Sequence, residues 1–528
     1  MLQKSRNKLI VLVVSVVFGM GITNCQKAEN RPLNVVFFLV DDLGWRDVGC
    51  YGSSFYETPQ IDKFAGEGVR FTNAYAACHV CSPTRASILT GMYPASINLT
   101  DWLPGRLDFP FQKLMNVKIN QHLPYNINTL PGVLKENGYQ TAIYGKWHLG
   151  EDSASTARQG FDKHIPSDWN KGWPNKGYYS PFGLKGIADS DSAYLTNRLT
   201  DEALKYIEKN KDKPFFLYLS HFAVHDPIEG RADLVKKYKA KLQKQRHQQG
   251  LPFVLEGNPD VKNRLTKAEA KSIVKKKAYG GYKIFEDETV KIKQYQDNVE
   301  FAAMVESMDE SFGRVLAKLE QLNIDDNTIV IFYSDNGGMS AANFYDPERR
   351  VSKYKLDKAF STSNLPLRGA KGWMYEGGIR VPLIIKWPGK GLQGVICDVP
   401  VTSPDFFPTI LEMTGIQSKQ NIDGVSIAPL VTGDKDLSRE AIFWHFPHYS
   451  NHGMQSPGGA IRCGDYKLLE YYENNTVQLF NLKDDISEEN DLSTLKPQKA
   501  EQLRKLLHDW HRRTGAKMMK SNPEYLTN

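Results

Sequence analysis

Cysteine is scarce in this chain. Its 528 residues include six, at positions 25, 50, 78, 81, 397 and 463. That scatter does not suggest the disulfide framework that staples small exported domains. One CxxC occurs, Cys78-His79-Val80-Cys81, and its plain readings are a redox pair or half of a zinc knuckle; no second CxxC exists to complete a zinc site. No run beyond residue 20 is apolar for long enough to span a bilayer. Internal repeats and low-complexity tracts are also missing. Charge of one sign does not dominate: 67 Lys and Arg face 60 Asp and Glu, a formal net of +7. Even that excess is local, because Lys236 to Lys293 holds 16 basic and 6 acidic residues and leaves the remainder slightly acidic. Such a run reads first as a solvated helical insertion, and second as a basic flank that attracts an anionic polymer. No nucleic-acid-binding motif accompanies it, so nucleic acid is not an expected partner.

The amino terminus is more telling. Lys4, Arg6 and Lys8 precede the apolar run Leu9–Met20, and small and polar residues continue as far as Cys25. This is the layout of a secretory signal peptide over residues 1–25. Ile22-Thr23-Asn24-Cys25 resembles a bacterial lipoprotein box, with Asn24 in place of the usual small residue. Lipidation at Cys25 and simple cleavage near it are both compatible with this layout. The expected location is the periplasm or the outer-membrane surface of a bacterium.

Runs that are apolar without alternation, and rich in β-branched or aromatic residues, occur at Val35–Val40, Thr141–Tyr144, Phe215–Leu219, Thr328–Tyr333 and Pro382–Ile385. They predict strands buried on both faces of a mostly parallel sheet. Val299 to Leu322 predicts an amphipathic helix. The fold class is therefore an α/β sandwich, with a main α/β domain over 30–420. Arg462–Leu469 and Val477–Leu482 predict strands of a small antiparallel sheet, and Lys496–Arg513 a terminal helix. These form an α+β subdomain over 430–528. The domain change falls between about Ser418 and Ser438.

Four strand runs lead towards chemistry: Val40 into Asp41-Asp42, Tyr144 into Gly145-Lys146-Trp147-His148, Leu219 towards His221 and His225, and Tyr333 into Ser334-Asp335-Asn336-Gly337-Gly338. Ligands of open α/β sheets bind at such carboxyl ends. Asp41, Asp42, Asp335 and Asn336 are hard oxygen donors, suited to Ca²⁺ or Mg²⁺. Cys81 heads the run Cys81-Ser82-Pro83-Thr84-Arg85-Ala86-Ser87-Ile88-Leu89-Thr90-Gly91. Ser82 predicts an N-cap, Pro83 a first helical residue and Gly91 a stop. Cys81 would then lie at a helix end that favours anions.

The Cys81 run resembles the signature at which type I sulfatases convert cysteine to Cα-formylglycine. The resemblance continues through Asn34–Gly44, Gly145–Gly150, His225-Asp226-Pro227, Ser334–Gly338 and Leu367–Pro382, in family order, and covers about residues 34 to 415. It implies the alkaline-phosphatase-like fold and the hydrolysis of sulfate esters. It further implies Ca²⁺, with Mg²⁺ second, on Asp41, Asp42, Asp335 and Asn336, touched also by residue 81. A formylglycine hydrate at Cys81 would be the nucleophile and would form a covalent sulfo-enzyme, which its second hydroxyl releases. Arg85 would stabilise that hydrate, Lys146 and Lys371 would contact sulfate oxygens, and His148 would act as base. His225, helped by Lys371, would protonate the leaving alcohol.

Export and a bacterial signal point to a sulfated carbohydrate (a glycosaminoglycan, mucin or algal-type glycan) as substrate, and to a formylglycine-generating maturation enzyme as partner. His221, Trp102, Trp169, His445 and His448 are the candidate sugar-contacting residues. Two rivals accompany this reading: a phosphate or phosphonate ester hydrolase of the same superfamily, and a catalytically silent glycan-binding lipoprotein.

Overall fold

Asn34–Val40 (β1) shows why the chain folds in layers. All seven residues are buried. Val36, Phe38 and Val40 join one hydrophobic core, and Val35, Phe37 and Leu39 join another. A strand with two apolar faces must sit inside a sheet covered on both sides. The computed structural model describes residues 31–110, 112–150, 155–167, 172–174, 176–187, 190, 192–245, 253–260, 290–341, 361–450, 452 and 455–525. The signal segment with Cys25, Trp169, and much of the basic run lie outside the described residues.

The large sheet adds Val69–Phe71 (β2), Gln140–Gly145 (β3), Lys163–Ile165 (β4), Phe215–Ser220 (β5), Thr328–Ser334 (β6), Leu383–Lys386 (β7) and Val395–Cys397 (β8). Its order is β8-β2-β7-β6-β1-β5-β3-β4. The block β6-β1-β5-β3-β4 is parallel throughout. Val40 pairs with Ser334, Leu39 with Ser220, and Gly145 with Ser220, so four strands finish along one edge. At Gly145 (φ 107°) a Cβ would lie 1.8 Å from the Ser220 carbonyl oxygen, so only glycine fits. The 382–385 run departs from expectation, because β7 pairs with β6 antiparallel. Tyr333 near the end of β6 pairs with Leu383 at the start of β7, so β7 begins at the carboxyl edge where β6 finishes, as an antiparallel neighbour must.

Helices cover both faces. The main ones are Pro59–Ala65 (α1), Cys81–Thr90 (α2), Leu195–Asn210 (α3), Ala232–Lys244 (α4) and Val299–Gln321 (α5). Asn298 caps α5 by accepting from the Glu300 and Phe301 N–H groups. Phe312 of α5 meets the rings of Phe38 and Phe64 edge-on, at 5.1 and 5.0 Å. Burying such a ring is worth roughly 1.5–3 kcal/mol. Asp309, one turn earlier, accepts from the N–H groups of Gln60 and Ile61 at 3.1 and 2.8 Å, so α5 caps α1.

Glu376–Ile379 (α6) precedes β7. The smaller sheet runs antiparallel in the order Ile442–Phe446 (β9), Gly458–Cys463 (β10), Tyr466–Tyr471 (β11) and Thr476–Asn481 (β12), and Pro497–Thr514 (α7) packs on it. The stretch Arg462–Leu469, expected as one strand, contains a hairpin turn: Cys463 pairs with Tyr466 across Gly464 (φ 58°) and Asp465. Among the described residues, no helix is long and apolar enough to cross a membrane.

Candidate active site

The strand ends converge as their sequence order suggests. Asp41 and Asp42 leave β1, Lys146 leaves β3, and Asp335 and Asn336 leave β6. Asp42 adopts a left-handed backbone (φ 61°), which short polar residues tolerate, and its N–H donates to Asp335 Oδ1 at 3.2 Å. The α2 helix begins at Cys81, earlier than expected, with Val80 at the cap position. Ser82 does not cap it, because its Oγ accepts the Leu103 N–H at 3.1 Å. Gly91 does end it, in the left-handed conformation (φ 70°).

Arg85, one turn into α2, has no exposed surface. Its Nε and Nη2 grip Asp335 Oδ2 at 2.9 and 2.8 Å, and its Nη1 donates to Ser220 Oγ and the Lys146 carbonyl at 2.5 and 3.1 Å. Lys146 Nζ donates to Asp41 Oδ2 at 2.6 Å, and Lys371 Nζ to Asp42 Oδ2 at 2.8 Å. Asn336 Nδ2 donates to Asp42 Oδ1 at 2.7 Å. Three carboxylates and three cations thus share one buried site.

The two histidines carry opposite protonation states. His148 sits 3.3 Å from Cys81 Sγ through Nδ1, and 2.9 Å from the Leu103 carbonyl through Nε2. A carbonyl only accepts, so Nε2 carries the hydrogen and Nδ1 turns a lone pair towards residue 81. Burial, with Lys146 nearby, holds this imidazole well below its usual range and therefore neutral. His225 Nδ1 faces two acceptors, Asp226 Oδ1 at 2.9 Å and Asp226 O at 2.7 Å, and its Nε2 points to Asp42 Oδ2 at 3.7 Å. Burial and Lys371 would lower its pKa, but Asp42, Asp226 and Asp41 raise it to about 9. A neutral base and a charged acid in one buried cluster are the pairing that acid–base chemistry needs.

The site also fits a divalent cation. Burial and the neighbouring Asp335 push Asp41 up to about 8. Burial would raise Asp42 too, but Lys371, His225 and Lys146 hold it well below the ordinary carboxylate range. Asp41 Oδ1 and Asn336 Oδ1 are buried without hydrogen-bond partners. Ligand atoms of Asp41, Cys81 and Asp335 lie within 4.8 Å of one another, as do those of Asp41, Asp42 and His225. Crowded carboxylates and orphaned oxygens are what a hard cation relieves.

The expected sugar contacts are placed differently. His221 is fully buried, its ring on Phe38 and its Nε2 at 2.9 Å from Ser311 Oγ, so it packs beneath the sheet edge. His445 spends both ring nitrogens internally, on Tyr472 Oη and the Lys517 carbonyl. His448 is buried with Nε2 on Thr100 Oγ1 at 2.8 Å. Half-buried Trp102 packs on Cys78, Val80 and Phe446. Burial accounts for the three histidines, because each imidazole bonds to a hydroxyl or carbonyl inside the fold.

Other residues emerge only from the structure. Ser220 at the end of β5 links Arg85 to the Lys146 carbonyl, which Ser220 Oγ also reaches at 2.8 Å. Its position at a strand's carboxyl end was the available signal. Asp226, named from the sequence only as part of the His225-Asp226-Pro227 block, proves to hold His225 Nδ1. His452, buried with an unpartnered Nδ1, packs against Gly372 beside Lys371. No motif or periodicity marks it.

Comparison with known proteins agrees with this geometry. The sulfatase family model matches residues 33–416, and a model for the N-sulphoglucosamine sulphohydrolase C-terminal region matches 370–514. A sulfatase of Formosa agariphila is 29% identical, with 94% of this chain and 90% of the relative aligned. An N-acetylglucosamine-6-O-sulfatase of Bacteroides thetaiotaomicron is 27% identical over 93% of this chain and 88% of its own. The crystal structure of Ps i-CgsB in complex with k-i-k-neocarrahexaose superposes with a TM-score of 0.66 at 26% identity, covering 91% of this chain and 93% of that one. With a family match over residues 33–416 and relatives of similar length, the chain belongs to the sulfatase family and is a sulfuric ester hydrolase of the alkaline-phosphatase-like fold.

Proposed function

We propose that this sulfatase is exported and desulfates a sulfated carbohydrate, with Cys81 matured to formylglycine and Ca²⁺ held by Asp41, Asp42, Asp335 and Asn336. The observation that carries the reading is the placing of Cys81 against a neutral imidazole within a cage of Arg85, Lys146 and Lys371. Relatives named for N-acetylglucosamine-6-O-sulfate and ulvan support a saccharide. The basic-then-apolar amino terminus supports export to the periplasm or an outer-membrane anchor at Cys25. Conversion of Cys81 calls for a separate maturation enzyme.

A divalent cation bound there would polarise a sulfate oxygen and favour ionisation of the attacking hydroxyl. The remaining work belongs to the chain. Lys146 and Lys371 bind the other sulfate oxygens and stabilise the charge that builds as the S–O bond breaks. Arg85 fixes the orientation of Asp335 and of the helix carrying residue 81. His225 donates its Nε2 proton to the departing alcohol. His148 accepts a proton at Nδ1 from the residue-81 diol, and the Leu103 carbonyl keeps that nitrogen unprotonated beforehand.

Defined mono-sulfated saccharides, offered to the matured enzyme and to Cys81→Ala, test this. The matured enzyme should release sulfate from at least one saccharide, and Cys81→Ala should release none while keeping its circular dichroism and melting temperature. Turnover by Cys81→Ala, or turnover of aryl phosphates far above aryl sulfates, would overturn it.

A further inference from the structure

The loop that carries Lys371 is gripped at both ends by the small-sheet region. At one end, Glu376 Oε1 lies 2.9 Å from Lys467 Nζ. Lys467 stands in β11 with no exposed surface, and its Nζ also meets Glu488 Oε1 at 2.8 Å. Glu488 Oε2 accepts the Glu376 N–H at 2.7 Å. At the other end, Arg368 Nη1 donates to the Glu488 carbonyl at 2.7 Å, and the Arg368 carbonyl accepts the Gly377 N–H, also at 2.7 Å. Between these ends, the Lys371 N–H donates to Gly338 O at 3.1 Å and the Gly337 N–H to Gly378 O at 2.9 Å. A Cβ on Gly337 would lie 1.9 Å from the Gly377 carbonyl oxygen. The Lys371 loop and the turn after Asn336 are therefore one interlocked body.

Burying a lysine between two carboxylates is a poor way to gain stability. Desolvation costs several kcal/mol per ion, and apolar replacements of such groups are often neutral or stabilising. A role in geometry accounts for what stability does not. We propose that Lys467 is a positioning residue for desulfation: by tying Glu376 and Glu488 to β11, it sets where Lys371 Nζ stands over Asp42. This rests on the reading of Lys371 as the group that holds sulfate and assists the leaving oxygen.

The test uses the matured full chain and aryl sulfates whose leaving phenols span a range of pKa. Two variants sever the tether. Lys467→Met removes the cation, and Lys467→Met with Glu488→Gln removes one charge of each sign, leaving Glu376 to Tyr75 and Arg380. Both should lower kcat about 10- to 100-fold, the scale of a misplaced catalytic group. The dependence of kcat/KM on leaving-group pKa should steepen, and neither variant should add to the defect of Lys371→Ala. Unchanged kcat, an equal loss for every leaving group, full additivity with Lys371→Ala, or unfolding of both variants would overturn the proposal. Wild-type turnover by Lys371→Ala would instead remove the reading of Lys371 itself.

Discussion

His221 and His225 lie four residues apart and behave in opposite ways. Acceptors surround His225 and keep it charged. His221 faces Phe38 and Ser311, and burial pushes its pKa down to about 3. The unfolded imidazole, near its usual value of about 6.5, binds the proton that the folded one refuses. Stability from a neutral His221 is therefore whole above that pH and is lost as pH falls from there towards 3. Replacing His221 with Gln should cost stability at pH 7, and the gap to wild type should narrow below pH 6.5 by about 1.4 kcal/mol per pH unit. Urea unfolding at pH 7 and pH 5 measures this; an equal gap at both would refute it. The same contrast limits what a sequence reveals. Asp41, Asp42, Lys146, His148, Asp335 and Asn336 were legible because each comes just after a buried strand, where topology alone gathers side chains. Histidines such as His445 and His448 carry the same chemistry, yet Tyr472, Lys517 and Thr100 satisfy them from distant positions. Nothing local announces such partners.

Elements are fixed by contacts that local propensity does not contain. Thr58 precedes α1 but makes no side-chain cap; Asp309 of α5 supplies both acceptors from across the core. Asp309→Ala should therefore destabilise the protein by about 2 kcal/mol, since two buried N–H groups lose their acceptor. Its denaturant midpoint should fall, with activity per folded molecule unchanged. A midpoint equal to wild type would mean that α1 is held by its apolar face alone. The same tertiary override moved the start of α2. Ser82 has the right chemistry for a cap, but Leu103 claims its hydroxyl. Strand positions, by contrast, were visible because uninterrupted apolar runs have one comfortable place, between two helical layers. The direction of β7 was not, since hydrophobicity says nothing about the route of the loop before it.

For the molecule as a whole, the active site is a seam. Two cores meet the large sheet from opposite sides, and the small sheet closes against the Lys371 loop through Lys467 and Glu488. A cation drawn to Asp41, Asp42, Asp335 and Asn336 would bind only the folded arrangement, because it brings together residues as far apart in sequence as Asp42 and Asn336, 294 positions. Binding to the native state alone raises stability by RT ln(1 + [L]/Kd). Chelation should therefore both abolish sulfate release and lower the melting temperature, and added Ca²⁺ should restore the two together. If a stripped enzyme keeps its activity and its melting point, no cation belongs at these residues.

The seam is tightest at Gly145. A methyl there would stand 1.8 Å from the Ser220 carbonyl oxygen, which already accepts the Lys146 N–H at 2.7 Å, so two backbones are spliced into a floor beneath Lys146. A floor so inelastic cannot reshape itself around different sugars. Novel saccharide preferences would have to arise in the overlying walls, leaving the desulfating machinery to be inherited intact.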